Sequence, residues 1–155
     1  MAPNFTIIKP SLPVSSIPEA LEYYTSRLGF RLAGRDGDNH CWVQLVGDDS
    51  ISRSDAAVNI YLRRRGFPDV VNDVQFGKVY IRLEGDDDEL EKLRDTLKEN
   101  KARIKGDIET KPWGLRDLTV VDPDGNIIIF NQMVKNFQMP ANPNSAASSK
   151  GQDQN

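Results

Sequence analysis

The chain has 155 residues, 38% hydrophobic and 28% charged, enough for one domain with a real core and ordinary for a globular protein. A formal net charge of −3 argues against nucleic acid as a partner, and no run approaches the roughly eighteen apolar residues of a membrane span. One cysteine, Cys41, and one histidine, His40, exclude an internal disulfide and multi-cysteine zinc sites, and leave a catalytic zinc dependent mostly on carboxylates. The start, Met1-Ala2-Pro3-Asn4-Phe5, carries no readable secretory signal, so a cytoplasmic location is expected. The basic triplet Arg63-Arg64-Arg65 reads as a solvated strand end.

In chain order, residues 6–14 read as a strand with Ile7, Ile8, Leu12 and Val14 apolar. Pro10 and Pro13 make it an edge strand or one with an irregular middle. Ser16-Ile17-Pro18-Glu19 has capping-box spacing, and Ala20, Leu21, Tyr24 and Leu28 follow at helical intervals until Gly29 ends the helix. Residues 30–34, 39–46 and 56–62 read as three short strands, with Asp36-Gly37-Asp38 a turn and residues 47–55 a polar loop. Residues 66–76 read as a connector, after which the pattern repeats. A strand is expected over 78–83, and Asp86 to Glu89 can cap and charge a helix with Leu90, Leu93 and Leu97 as its buried stripe. Asn100 and Lys101 end that helix. Strands are expected over 104–109, 115–121 and 126–132, the last two joined by the turn Asp122-Pro123-Asp124-Gly125-Asn126. The repeat predicts an α+β fold of two βαβββ modules, residues about 5–65 and 77–133, within a single domain over 1–135. Residues 136–155, rich in Ser, Asn, Pro and Gln, read as a disordered tail.

Lys9-Pro10-Ser11-Leu12-Pro13-Val14, Ala20-Leu21-Glu22-Tyr23-Tyr24 and Arg27-Leu28-Gly29-Phe30 resemble the opening of proteins of the vicinal oxygen chelate superfamily, the glyoxalase, bleomycin-resistance and dioxygenase type. Pro112-Trp113-Gly114, Arg116-Asp117-Leu118 and Asp122-Pro123-Asp124-Gly125-Asn126 resemble their closing segment. The resemblance covers roughly residues 6 to 133 and is nearest to the bleomycin-resistance-like members. It implies curved mixed sheets around a cleft and a homodimer. It places the metal ligands of the family's metalloenzymes at Lys9, Tyr61, Lys78 and Ile129 here. None of Lys9, Lys78 or Ile129 is a usual metal ligand, so no metal and no cofactor are expected.

Alternation along strands puts Lys9 with Ser11, Lys78 with Tyr80 and Arg82, Leu115 with Asp117 and Thr119, and Ile127 with Ile129 and Asn131. On the resemblance these are the cleft faces. His40, Trp42 and Gln44 are one parity of their strand, chosen as the cleft side over Cys41 and Val43. The expected ligand-binding residues are Trp42, Gln44, Tyr61, Lys78, Tyr80, Arg82, Trp113, Asp117, Thr119 and Ile129. Each has a plainer role open to it: the tryptophans as core or dimer contacts, and Arg82 with Asp117 as a structural ion pair. Because Lys9, Lys78 and Arg82 face Asp117 alone among the carboxylates, the expected ligand is neutral or anionic. The first functional reading is a metal-independent protein sequestering an aromatic small molecule. The second is a metal-free enzyme, with Tyr80, Arg82, Asp117 and His40 as candidate catalytic groups. The third is an interaction module whose cleft is filled by Leu115, Ile127 and Ile129.

Overall fold

The computed structural model describes residues 1–67, 75–138 and 144. Two mixed sheets carry the chain. The first has four strands, β1 (Ser11–Val14), β2 (Arg31–Asp36), β3 (His40–Leu45) and β4 (Val58–Arg64), in the order β1-β4-β3-β2. The second holds β5 (Lys78–Leu83), β6 (Arg103–Ile104), β7 (Glu109–Thr110), β8 (Leu115–Val121) and β9 (Ile127–Met133), in the order β5-β9-β8-β6 with β7 also on β8. β1 runs parallel to β4 and β5 parallel to β9, while the remaining pairs are antiparallel. One helix serves each module, α1 (Ile17–Glu22) and α2 (Glu89–Glu99). Both sheets are curved, which bears out the α+β expectation of two βαβββ modules.

β1 is an edge strand, but it begins at Ser11 rather than Thr6. Pro10 cannot donate to the ladder, so its carbonyl, accepting from Tyr61 N at 2.9 Å, is where pairing starts. Ile8 is left exposed. Pro13 is tolerated because it faces the open side: its carbonyl accepts from Asn126 Nδ2 at 2.8 Å. The strand expected over 104–109 is two short pieces, β6 and β7, each pairing with β8, with Lys105 to Ile108 arched between them.

Ser16 caps α1 by accepting from Glu19 N at 3.3 Å. The helix then widens into a π turn over Tyr23–Arg27. This turn buries two successive side chains, Tyr23 and Tyr24, against the second module. Tyr23 Oη donates to Val121 O at 2.7 Å and accepts from Arg103 N at 2.9 Å, and Tyr24 Oη donates to Asp122 at 2.9 Å. Gly29, with φ +81°, ends the segment as expected. At α2, Leu90 and Leu97 are buried and Leu93 packs beside them. Glu89 and Glu91 charge its first turn, but Asp88 makes no side-chain cap; Gln132 Oε1 accepts from Leu90 N instead, at 3.3 Å.

The core runs through both modules, from Leu12, Tyr24 and Ile60 to Leu118, Ile128 and Phe130. Cys41 and Val43 are fully buried in it, so the opposite parity of β3 faces the other way. Burial pushes the Cys41 thiol up to about 11. A disulfide reagent should therefore leave the native protein unmodified at pH 8 and titrate one thiol only after denaturation. Rapid native modification would place Cys41 outside the core. The chain beyond β9 turns back, with Val134 N donating to Gly114 O at 2.8 Å and Phe137 lying against Gly114. Except for residues 136–138 and 144, the expected disordered tail lies outside the described residues, as does the middle of the 66–76 connector.

Candidate functional site

The register of β5, β9 and β8 sets out a polar face on the second module. Tyr80 pairs with Ile129 and Ile129 with Thr119; one pleat along, Arg82 pairs with Asn131 and Asn131 with Asp117. Over this face lies a cavity of about 460 Å³, lined by Lys78, Tyr80, Lys105, Glu109, Lys111, Trp113, Leu115, Asp117, Thr119, Ile127, Ile129 and Asn131. That volume suits a small organic molecule. Tyr80 and Trp113, 59% and 57% exposed, stand at its open side. Six of the ten expected ligand-binding residues meet here: Lys78, Tyr80, Trp113, Asp117, Thr119 and Ile129.

The charges of this cavity are unevenly matched. Lys111 Nζ bonds Glu109 Oε2 at 2.9 Å, and that hydrogen bond raises the ammonium above its ordinary value. Lys78 and Lys105 have no carboxylate within ion-pair distance among the described residues, although Lys78 Nζ sits 5.3 Å from the Tyr80 ring centroid. Asp117 accepts no hydrogen bond among the described residues, and its Oδ1 is closed to water.

The other four expected residues lie elsewhere. Arg82 donates from Nε to Asn131 Oδ1 at 2.9 Å and edges a separate groove beside β9. The Arg82–Asp117 ion pair considered above is not formed. Trp42, Gln44 and Tyr61 lie on the sheet of the first module, together with His40, and do not line this cavity. On the first module these side chains contact one another. Lys9 Nζ lies 3.7 Å from the Trp42 ring centroid and 3.3 Å from Tyr61 Oη. Asn59 Oδ1 accepts from Trp42 Nε1 at 3.0 Å and from Gln44 Nε2 at 2.8 Å. Gln44 Oε1 accepts from Arg31 Nη2 at 3.0 Å, and Gln44 Nε2 also donates to Arg53 O at 2.7 Å. Gln44 is fully buried in this network. Matching Tyr61 to Ile129 sets Trp42 against Thr119 and His40 against Asp117 through the two registers. A large ring, Trp42, stands in the first module where the small hydroxyl of Thr119 lines the cavity of the second.

Lys105, Glu109 and Lys111 are the cavity residues that sequence reasoning missed. Lys105 and Glu109 are of one parity in the segment read as a single strand, and that alternation was the available signal. His40 is remote from the cavity; its Nδ1 is 3.7 Å from Asp36 Oδ2 and makes no hydrogen bond.

The four positions implied for a metal do not suit one. Lys9 and Lys78 bring ammonium groups that repel a divalent cation, and Ile129, buried, offers no lone pair. Among the described residues one cluster could supply three ligands, Asp86, Asp88 and Glu89 at the start of α2. Lys92 Nζ lies 3.9, 3.1 and 3.4 Å from these three carboxylates, so the cluster already holds a cation.

Two βαβββ modules, each a curved mixed sheet with one helix, define the architecture. The chain belongs to the Glyoxalase/Bleomycin resistance protein/Dioxygenase superfamily, whose family model matches residues 6–130. Among solved structures it resembles a glyoxalase/bleomycin resistance protein/dioxygenase from Nocardioides, with TM-score 0.67 and 16% identity over 92% of this chain and 91% of that one. It also resembles TioX from Micromonospora sp. ML1, with TM-score 0.61 and 20% identity over 84% of this chain and 100% of that one. A glyoxalase-related enzyme from Clostridium phytofermentans gives TM-score 0.63 and 19% identity over 84% and 97%. No curated protein matches the sequence. Among the described residues no helix is long and apolar enough to cross a membrane.

Proposed function

We propose that the protein binds a small aromatic molecule, neutral or anionic, in the cavity of the second module, without a divalent metal. The observation that carries this reading is the open cavity itself, with the exposed rings of Tyr80 and Trp113 at its mouth and Lys78 and Lys105 without carboxylate partners among the described residues. Flat rings offer stacking area, and cations without partners favour an anion. Lysine and isoleucine at the implied metal positions support metal-independent binding. Binding is favoured over turnover because the candidate catalytic groups do not converge: His40 is on the first module and Arg82 is committed to Asn131. The filled-module reading is less favoured, because Leu115, Ile127 and Ile129 line a cavity of about 460 Å³ instead of plugging it.

The test is thermal unfolding with a panel of aromatic acids, neutral aromatics, divalent metals and EDTA. A ligand of the native state at a hundredfold over its Kd contributes about 2.7 kcal/mol, or roughly 5–10 °C in a chain of this length. An anionic or neutral aromatic compound should give such a rise, with Zn²⁺, Ni²⁺ and Mn²⁺ neutral. A metal-induced rise reversed by EDTA would sink the metal-independent reading. The reading includes a cytoplasmic homodimer, in which a second copy covers exposed apolar side chains such as Leu32 and Phe76. Sedimentation should then give twice the 17.4 kDa chain mass.

A further inference from the structure

We infer that the occupant of this cavity is a planar acid that also carries an N–H donor, with Asp117 as the residue that selects for it. The inference rests on the cavity being a ligand site. An ionised carboxylate only accepts hydrogen bonds, and one shut away without a donor carries its full desolvation penalty. Asp117 is half-buried, and its Oδ1 is closed to water with no donor from the described residues, so that oxygen carries part of such a penalty. Of the nearby cations, Arg82 bonds Asn131 at 2.9 Å and Lys111 bonds Glu109 at 2.9 Å, and none forms an ion pair with Asp117 among the described residues. The terminal torsion of an aspartate is broad and two-fold, so either oxygen can turn to a donor arriving in the cavity.

The position of the acid follows from the same register. Lys105 N donates to Thr119 O at 2.9 Å, which fixes Lys105 beside Thr119, two residues along β8 from Asp117. Two strand residues span about 7 Å. Lys78 is on the opposite edge strand and leans over the Tyr80 ring. A ligand meeting Asp117 with an N–H and the lysines with a carboxylate therefore needs the two groups about one fused ring system apart, above Thr119. A cationic ligand would satisfy Asp117 but would face the lysines.

The experiment titrates wild-type protein with indole-3-acetate and indole-5-carboxylate, their N-methyl derivatives and neutral indole, followed by calorimetry. The acids with a free N–H should bind at least about tenfold more tightly than their N-methyl partners, as expected for a hydrogen bond to a charged acceptor. Indole should bind more weakly than either acid and show no salt dependence. Asp117→Leu should erase the preference for N–H while leaving the N-methyl acids bound. The unliganded variant should melt no lower than wild type, since Asp117 accepts no hydrogen bond from the described residues. Equal binding of the N-methyl and parent acids would overturn the role of Asp117 and leave the cavity reading standing. A lower melting temperature in Asp117→Leu would make Asp117 a structural residue and overturn it as well. If none of the five compounds binds, the cavity reading fails and this inference fails with it.

Discussion

Replacing Asp122 with alanine is expected to lower the melting temperature by roughly 10 °C, a loss of about 3 kcal/mol or more at 2–4 °C per kcal/mol. Asp122 is fully buried and accepts four hydrogen bonds. Oδ1 takes the backbone N–H groups of Asp124 and Asn126 at 2.9 and 2.8 Å. Oδ2 takes Tyr24 Oη and Asn126 Nδ2 at 2.9 and 2.8 Å. Asn126 carries the tie further, donating to Pro13 O at 2.8 Å and accepting from Gly77 N at 2.7 Å. One turn thus joins β1, the π turn after α1 and the entry to β5, and alanine would strand every donor aimed at the carboxylate. Burial raises the Asp122 carboxyl above its ordinary value, against the opposing hydrogen bonds from Asn126, Tyr24 and Asp124. The folded state therefore holds its proton to higher pH than the unfolded chain does. The stability this group contributes is greatest below the ordinary aspartate value of about 3.9 and falls as pH rises through the folded value. The variant should lose that segment of the pH–stability curve as well as the stability at neutral pH. Thermal and urea unfolding followed by circular dichroism between pH 3 and 7 measure both. A change below about 1 kcal/mol would show that the modules are held by apolar packing alone.

The motif Asp122-Pro123-Asp124-Gly125-Asn126 was legible as a turn, because Pro and Gly declare their backbone needs locally. Its role as a junction was not, since the partners of Asp122 and Asn126 come from distant parts of the chain: Tyr24, Pro13 and Gly77. Tyr23 was missed for a related reason. It lies off the regular stripe of Ala20, Leu21, Tyr24 and Leu28, and only the π turn brings it onto the buried side. Alternation did identify the faces of β3, β8 and β9: Cys41 and Val43 are core, while Asp117, Thr119 and Ile129 share the cavity. Alternation cannot say which faces meet. Trp42, Gln44 and Tyr61 were grouped with Lys78 and Tyr80 through resemblance, and they lie on the other sheet, outside the lining of this cavity. Nor does a residue list show that Lys9 would lie over Trp42. The arch from Lys105 to Ile108 needed one more observation, that β8 accepts two short partners where one strand was expected.

Thr119→Trp is expected to weaken ligand binding at least about a hundredfold, near 2.7 kcal/mol, while changing stability by less than about 1 kcal/mol. Thr119 stands at the middle of the cavity floor, paired with Ile129 and flanked by Lys105 through the bond to its carbonyl. An indole there would occupy the space between Tyr80 and Trp113 that the proposed ligand needs. It would also reproduce in the second module what Trp42 does at the corresponding position of the first. Stability should be little affected because the new ring enters an open cavity of about 460 Å³ and displaces no core side chain. The measurement is the Kd of the compound that best stabilises wild-type protein, taken by calorimetry on wild type, Thr119→Trp and Lys9→Ala. Undiminished affinity in Thr119→Trp would place the ligand outside this cavity. Lys9→Ala separates two geometries of the same reading, because Lys9 touches Trp42 and Tyr61 and lines no part of the cavity within one chain. Unchanged affinity means that one module suffices. A loss comparable to that of Thr119→Trp means that the first module of a second copy closes over the ligand, and that Lys9 reaches it across the dimer.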